Sequence, residues 1–475
     1  MTAVEGSELQ ESRLHHSRTT RETLLLWIGS FATAFVSFWF ATGKTWNPDY
    51  SLAQEEFNAN FFRQQAISVL NGHLDVPGTG FAWTECHWVE GQCFGYFGVT
   101  PSALRLPVIA FGANGPNLTP LLIAIAILLT MWAVLDLLLR LLERLIPDPE
   151  ERRVPAASAL LVTTLLLGVG STLTFLTRPR IYHEAILWMI AFLLVAMNFT
   201  YRWLVHRRRR DLVVVVVAAV LSANARPSSA FSAIGLGVGL LVVLFLDRRQ
   251  HRPNAVDGAL AGGLTLLPFA TSLGIVWLKF GTITEQWRYY SVSWMPRVRY
   301  YNNDTFQGLR FFPTNLVNYL RPDSIRFTSS SPWVIQQVPE RKPPIVISPI
   351  VEPGIVVEPV VSLTNSMTVP LLLTIGLSVA VLFGLVRMDR TDKRSFIILV
   401  ISAAFCSIPV LTFFSLSTRY LGDFYPLMAI GTIFAVAYAA RWLKAQPRML
   451  VTTTAILTVV ALASFYIQLQ LTTME

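Results

Sequence analysis

Charge is what this chain has least of. Only 14% of its 475 residues are Asp, Glu, Lys or Arg, where a soluble domain carries about 25%. The shortfall argues against a water-solvated globule and for lipid as the solvent of most of the chain. Cysteine is nearly absent too, at three residues, which excludes a disulfide-stapled scaffold. Lysine is scarce, five against 33 arginines. The Walker loop, the dinucleotide glycine fingerprint after a strand and the His-Glu-x-x-His zinc motif are all missing. The first apolar run begins near Leu24, after a long polar lead, and no small-residue cleavage site follows it, so it does not read as a cleavable signal peptide.

Apolar surface is abundant. Hydrophobic residues make up 53% of the chain, with 30 Phe and 13 Trp. A helix crossing a bilayer core of ~30 Å needs roughly 20 apolar residues. Such runs fall near 24–42, 118–141, 156–177, 184–204, 212–225, 229–246, 259–278, 366–386, 396–416, 424–441 and 449–470. The expected fold is therefore an all-α polytopic membrane protein of about eleven transmembrane helices in a single membrane domain. The fifth and sixth runs are short and meet at Ala225, Arg226, Pro227 and Ser228, which leaves open one broken hairpin in their place. Gly235, Gly237 and Gly239 lie inside the sixth and read as close helix packing.

Lys and Arg orient the spans. With eleven crossings, one face receives the N-terminal tail (1–23) and the connections near 142–155, 202–211, 247–258, 387–395 and 441–448. All six segments are basic, for example Arg207 to Arg210, and Arg387, Arg390, Lys393 and Arg394. That face is expected to be cytoplasmic, in a plasma membrane, with the C-terminus outside. The net charge of +9 is then a matter of membrane topology, and a nucleic-acid partner is not expected. Asp136, inside the second span, is the one acid that reads as a proton-relay candidate.

Two long outer loops remain, 43–117 and 279–365. In the first, Phe57, Phe61, Phe62, Ile67 and Leu70 fall near helical spacing before Gly72, which predicts an amphipathic helix at the membrane interface. Cys86 and Cys93 sit in the same loop and pair as a disulfide if the loop is outside. The second loop is aromatic from Trp287 to Tyr301, then proline- and valine-rich from Pro343 to Val361 and expected to be extended.

Three short outer connections carry arginine where the orientation rule disfavours it. They hold Arg178, Arg180, His183 and Glu184; Arg226; and Arg419, Tyr420 and Asp423. Interfacial anchoring accounts for any one of these, with Glu184 and Asp423 simply pairing neighbouring arginines and His183 capping a helix. Three such loops together suit an anion site, because the guanidinium fork gives phosphate paired, charge-assisted hydrogen bonds. Asp49, Glu55 and Glu56, soon after the first span, are carboxylates placed to act as a general base on a hydroxyl. His73 and His87 have no spacing that demands a metal.

With these features placed, the layout resembles the GT-C class of polytopic glycosyltransferases, which includes protein mannosyltransferases, oligosaccharyltransferases and bacterial envelope sugar transferases. The likeness rests on the long first outer loop with acids behind span one (Asp49, Glu55, Glu56), on the run from Gly95 through Pro107, and on the segments Arg178 to Glu184 and Arg419 to Asp423. No adjacent Asp-Glu pair follows span one, so all three acids stay candidates. The resemblance implies inverting transfer of a sugar from a polyprenyl-phosphate donor to an extracytoplasmic glycan, lipid or protein. It names no certain cofactor and leaves a divalent metal open. The competing expectations are a transporter or flippase of a lipid-linked sugar, and a non-catalytic envelope-assembly protein.

Overall fold

The computed structural model describes residues 18–47, 60–76, 87–95, 97–112, 117–248, 254–283, 306–330, 333–336, 356–357 and 360–472. In chain order the elements are α1 (Thr20–Ala41), α2 (Phe61–Leu70), β1 (His87–Val89), β2 (Gln92–Phe94), α3 (Thr100–Ala103), α4 (Leu106–Ala110) and α5 (Thr119–Leu145). Next come α6 (Pro149–Thr163), a π-helical segment (Thr164–Val169), α7 (Thr172–Phe175), α8 (Ile181–His206), α9 (Arg209–Ala223), α10 (Ser229–Asp247) and α11 (Ala255–Phe280). The last part holds α12 (Phe312–Leu320), β3 (Ile325–Phe327), β4 (Val334–Gln336), β5 (Val356–Val357), α13 (Leu363–Ser366), α14 (Thr368–Leu382), α15 (Arg390–Leu411), β6 (Ser415–Leu416), α16 (Tyr425–Leu443) and α17 (Pro447–Thr472).

Among the described residues, nine helices are long and apolar enough to cross a membrane: α1, α5, the α6–α7 run, α8, α10, α11, α15, α16 and α17. The fifth and eighth expected spans are present as α9 and α14, each of 15 residues. At 1.5 Å per residue they reach only about 22 Å, short of a full hydrocarbon core. The turn at Ala225–Ser228 joins α9 to α10, so the fifth and sixth runs form a helical hairpin with one short arm.

Helix starts follow from local chemistry. Thr19 and Glu22 form a capping box on α1, Asp148 caps α6, Asn254 caps α11 and Asp389 caps α15, each satisfying an amide that helical geometry leaves unpaired. Small residues set the helix spacing. A Cβ on Gly235 or Gly239 would meet Ser402 or Ile398 of α15 at 3.0 or 2.8 Å, and one on Gly237 would meet Thr265 of α11 at 2.2 Å. The glycines of the sixth run thus serve close packing, as expected. The π segment frees carbonyls that would otherwise be costly in an apolar interior. The Leu167 carbonyl accepts from Tyr425 Oη at 2.8 Å and from Ser171 Oγ at 2.7 Å.

The basic connections gather at one end of the bundle and are tied together by acids. Arg18 donates to Asp136 and Glu143, and Arg140 and Asn198 also donate to Asp136. Asp136 is thereby held by three donors as a structural carboxylate, which leaves the proton-relay reading without support. Arg152 and Glu22 form a buried pair at 2.7 Å. Asp247 joins Arg207 and Arg394.

The described parts of the two long loops lie at the other end. Helix α2 is present and Gly72 follows it at φ +83°, but its apolar face is turned onto protein. Phe61 and Phe62 are buried against Phe97 and Tyr182, because the Gly95 region and the start of α8 supply that surface. Leu70 stays exposed, and Phe57 lies outside the described residues. Cys93 is disulfide-bonded and Cys406 is free and buried; Cys86, the expected partner, lies outside the described residues. In the second loop, β5 pairs in parallel with β6, an extended pairing within the valine-rich stretch. Trp287 to Tyr301 lie outside the described residues.

Candidate functional site

The end opposite the basic connections is built on a segment fastened at many points. A Cβ on Gly95 would sit 2.2 Å from the Phe61 ring, and one on Gly98 would sit 1.8 Å from the Asn224 carbonyl oxygen. Only glycine admits those approaches. Thr100 then donates twice to the end of α9, through its amide to Asn224 O at 3.0 Å and through its hydroxyl to Leu221 O at 2.8 Å. Ser102 bonds Gln65 of α2 at 2.5 Å.

Arg105 completes the fastening. Its two terminal nitrogens meet the two Glu184 oxygens at 2.5 and 2.8 Å, and they also bond Pro101 O and Thr119 Oγ1. Both side chains of the pair are 1% exposed. The fork-to-fork geometry suits a buried ion pair. Glu184, at the start of α8, therefore pairs an arginine 79 residues away in the chain and not one of its sequence neighbours.

The three short arginine-bearing connections do converge. Arg226, from the α9–α10 turn, donates through Nε and Nη2 to the two oxygens of Asp423, both at 2.9 Å. Ser228 adds a 2.5 Å bond to the same carboxylate, and Asp423 is fully buried. Arg226 and Arg419 each lie 5.3 Å from the Tyr420 ring centroid, and Arg419 lies 3.9 Å over Tyr182 at the start of α8. Arginine stacked on aromatic faces in this way gains cation–π attraction. His183, buried beside them, faces the Arg178 carbonyl through Nδ1 at 3.2 Å. Arg178 and Arg180 are half-buried on the same turn.

Long-range contacts set Arg419 in place. It sits on a 3-10 turn, Thr418–Asp423. Asn315 of α12 donates from one amide group to the carbonyls of Val410, Leu411 and Phe413, closing the C-terminal end of α15 just before that turn. Tyr319 is buried against Phe424 and directs its hydroxyl at the Ser417 carbonyl. Burial pushes the Tyr319 phenol well above the usual tyrosine range, with the nearby Tyr420 oxygen adding to the rise. Val361 N donates to Thr418 Oγ1 at 3.1 Å. The described part of the second long loop, around α12 and Val361, is thus part of the scaffold of the arginine cluster.

Asp49, Glu55 and Glu56 lie outside the described residues. No group of three or more His, Cys, Asp or Glu able to hold a metal ion occurs among the described residues. The structure adds Tyr182, Arg105, Ser228, Asn315 and Tyr319 to the residues picked from sequence. Tyr182 had a signal, its place between Arg180 and His183. Arg105 and Ser228 lie in stretches already marked, Gly95 to Pro107 and Ala225 to Ser228, whereas Asn315 and Tyr319 had no signal, because their roles depend on partners far away in the chain.

Among solved structures the chain is similar in shape, distantly, to two oligosaccharyltransferase structures. No family model and no curated protein matches the chain. The archaeal oligosaccharyltransferase AglB from Archaeoglobus fulgidus, in complex with an inhibitory peptide and a dolichol-phosphate, aligns at 13% identity with a TM-score of 0.48 over 94% of this chain. The oligosaccharyltransferase of Archaeoglobus fulgidus in the apo form aligns at 12% identity and a TM-score of 0.45 over 92% of this chain. The chain spans 55% of the length of each.

Proposed function

We propose that this protein transfers a sugar from a polyprenyl-phosphate donor to a hydroxyl-bearing acceptor on the outer side of a membrane. The observation that carries the reading is the meeting of Arg226, Arg419, Tyr182 and Tyr420, with Arg178 and Arg180 on the adjoining turn, at the end of a membrane-length helical bundle opposite its basic connections. In the proposed reaction a carboxylate among Asp49, Glu55 and Glu56 takes the proton of the acceptor hydroxyl. The acceptor oxygen bonds to the anomeric carbon with inversion, and the bond from that carbon to the phosphate oxygen breaks. The polyprenyl phosphate leaves with the electron pair. Arg178, Arg180 and Arg419 face the growing negative charge, an electrostatic role of the oxyanion kind. Asp423 and Ser228 hold Arg226, which sets the Tyr420 ring against Arg419.

A transport path for a phosphorylated cargo would call for charged groups through the middle of the bundle. Among the described residues the buried charged side chains lie mostly toward its two ends, for example Glu22, Arg152 and Asp392 at one and Arg105, Glu184, Lys279 and Asp423 at the other, with Asp136 set further inside α5. The enzyme reading is favoured on that ground.

The test uses the purified full chain in proteoliposomes with a panel of polyprenyl-phosphate sugars, following release of free polyprenyl phosphate. Asp49→Asn and Arg419→Ala are each expected to lower turnover about 100-fold or more while the melting temperature is kept. Full activity in both variants overturns the reading.

A further inference from the structure

Helix α12 and the turn that leads into it have their polarity reversed. A 3-10 turn, Leu309–Phe311, runs straight into α12. On one side of that run Thr314, Asn315, Asn318 and Tyr319 are buried, with Phe311 beside them. On the other side stand Leu309, Phe312, Pro313, Leu316, Val317 and Leu320, at the i, i+3, i+4, i+7, i+8, i+11 spacing of one helix face. Leu309 is 81% exposed, and Phe312 and Leu320 are exposed as well. A helix on a water-solvated surface turns its apolar stripe inward and its polar residues outward. Here the polar residues are inside and the apolar stripe is outside.

The helix is pinned against rolling to hide that stripe. Asn315 bonds three carbonyls at the end of α15, and the Tyr319 hydroxyl meets Ser417 O. Ahead of the helix, Gly308 N donates to Thr412 O and Phe414 N to Phe306 O. Behind it, Thr364 Oγ1 donates to Arg321 O and Asn365 Nδ2 to Pro322 O. The neighbouring elements lead into the bilayer. Helix α12 packs on α13, and two residues after α13 the apolar helix α14 begins, with Leu372 and Ile375 exposed on its first two turns. Strand β4 packs on α17, a membrane-length helix that exposes Leu462 and Tyr466, and the β3–β4 hairpin exposes Phe327 and Trp333. Charge fits too. Between Leu309 and Phe327 stand Arg310, Arg321 and Arg326, with Asp323 as the only acid, an excess of the sign that lipid phosphates attract.

We infer that the apolar face of α12 is seated in the lipid leaflet at the arginine end of the bundle, where headgroups give way to acyl chains. A helix in that position buries its apolar face about 5–10 Å into the boundary. Leu309, Phe312 and Leu320 meet acyl carbons there, and Arg326, exposed on β3, reaches up to the lipid phosphates, as long basic side chains do at a membrane surface. Lipid covers the face without needing a partner shaped to it, which suits a stripe of plain aliphatic and aromatic side chains. Asn315 ties this helix to the chain just ahead of the Arg419 turn, so the seat and the arginine cluster stand at one level of the leaflet. The inference relies on the proposed transfer only for what the arginines meet at that level, the phosphate of a membrane-bound donor.

Spin labelling reads the seat without donor or turnover, so failure here is separable from failure of the transfer reaction. Leu309→Cys, Phe312→Cys and Leu320→Cys are labelled with a nitroxide one at a time in the full chain, in liposomes of phosphatidylcholine and phosphatidylglycerol. The unsubstituted chain is the blank for the buried thiol of Cys406. Collision with oxygen, which concentrates in hydrocarbon, is compared with collision with a water-soluble nickel chelate. Glu150→Cys, exposed at the start of α6, is the water reference, and Val459→Cys, exposed on α17, is the lipid reference. Each α12 label is expected to favour oxygen over nickel, at a depth of about 5–10 Å, and any one of the three folded variants decides. Nickel contact equal to that of the water reference overturns the inference. Low contact with both reagents overturns it as well, since a second copy or another protein then covers the face.

Discussion

Glu184→Gln is expected to undock the segment from Gly98 to Ala110 from the start of α8. In the native protein the Arg105 guanidinium spans both Glu184 oxygens, at 2.5 and 2.8 Å, with both side chains 1% exposed. The amide keeps the shape of the carboxylate and removes its charge. Arg105 then stays buried with only Thr119 Oγ1 and the Pro101 carbonyl as full partners. Breaking one side of a buried pair costs about 3–5 kcal/mol, because an uncompensated charge is left behind. If the segment answers by opening, its opening equilibrium rises by about 100-fold to 1,000-fold or more. Amide hydrogen exchange reads this directly as faster exchange at Leu104, Arg105 and Ile109, whose amides are bonded within the segment, with α16 as an unaffected reference. The double variant Arg105→Met with Glu184→Leu removes both charges and keeps apolar volume. It is expected to recover most of the loss, since well-packed apolar pairs replace buried ion pairs at little cost. If the single and double variants exchange alike, the segment is held by its glycine contacts and the ion-pair argument fails.

Gly98→Ala is expected to destabilise by about 1–3 kcal/mol or more through overpacking, since its Cβ would lie 1.8 Å from the Asn224 carbonyl; a thermal melt in detergent checks it, and an unchanged midpoint refutes the close approach. Reduction of the disulfide at Cys93 is expected to cost about 2–3 kcal/mol and to raise exchange chiefly in β1 and β2. For sidedness, Arg209→Cys on the exposed start of α9 is expected to react with an impermeant maleimide only from the cytoplasmic side, following the excess of Lys and Arg on that face. Labelling from outside reverses the assigned orientation.

The helices were largely legible in the sequence because bilayer thickness demands long apolar runs, and such runs stand out without any knowledge of partners. What was harder to read was length at the margins. Residues 212–225 and 366–386 were apolar enough to be taken as spans, yet α9 and α14 stop at 15 residues. Gly384 at φ +69° closes the end of α14, and Asn224 turns the end of α9 toward the Gly98 segment. The meeting of the arginine-bearing turns was legible for a different reason, since charge in short connections expected on the outer face runs against the orientation rule and so marks itself. The placement of α2 was not legible. Its amphipathic pattern shows that one face is covered and is silent on whether lipid or protein covers it.

Sequence by itself determined the solvent of the chain, the approximate number of helices and the grouping of basic segments on one face. Each of these depends on composition summed over tens of residues, and the bilayer reads it locally. Tertiary structure alone decided which charges meet. Arg105 and Glu184 are 79 residues apart, Arg226 and Asp423 are 197 apart, and Lys279 reaches back 184 residues to the Gly95 carbonyl. No local rule selects such partners. They follow from helix packing at glycine contacts, which brings distant loop ends within a few ångströms.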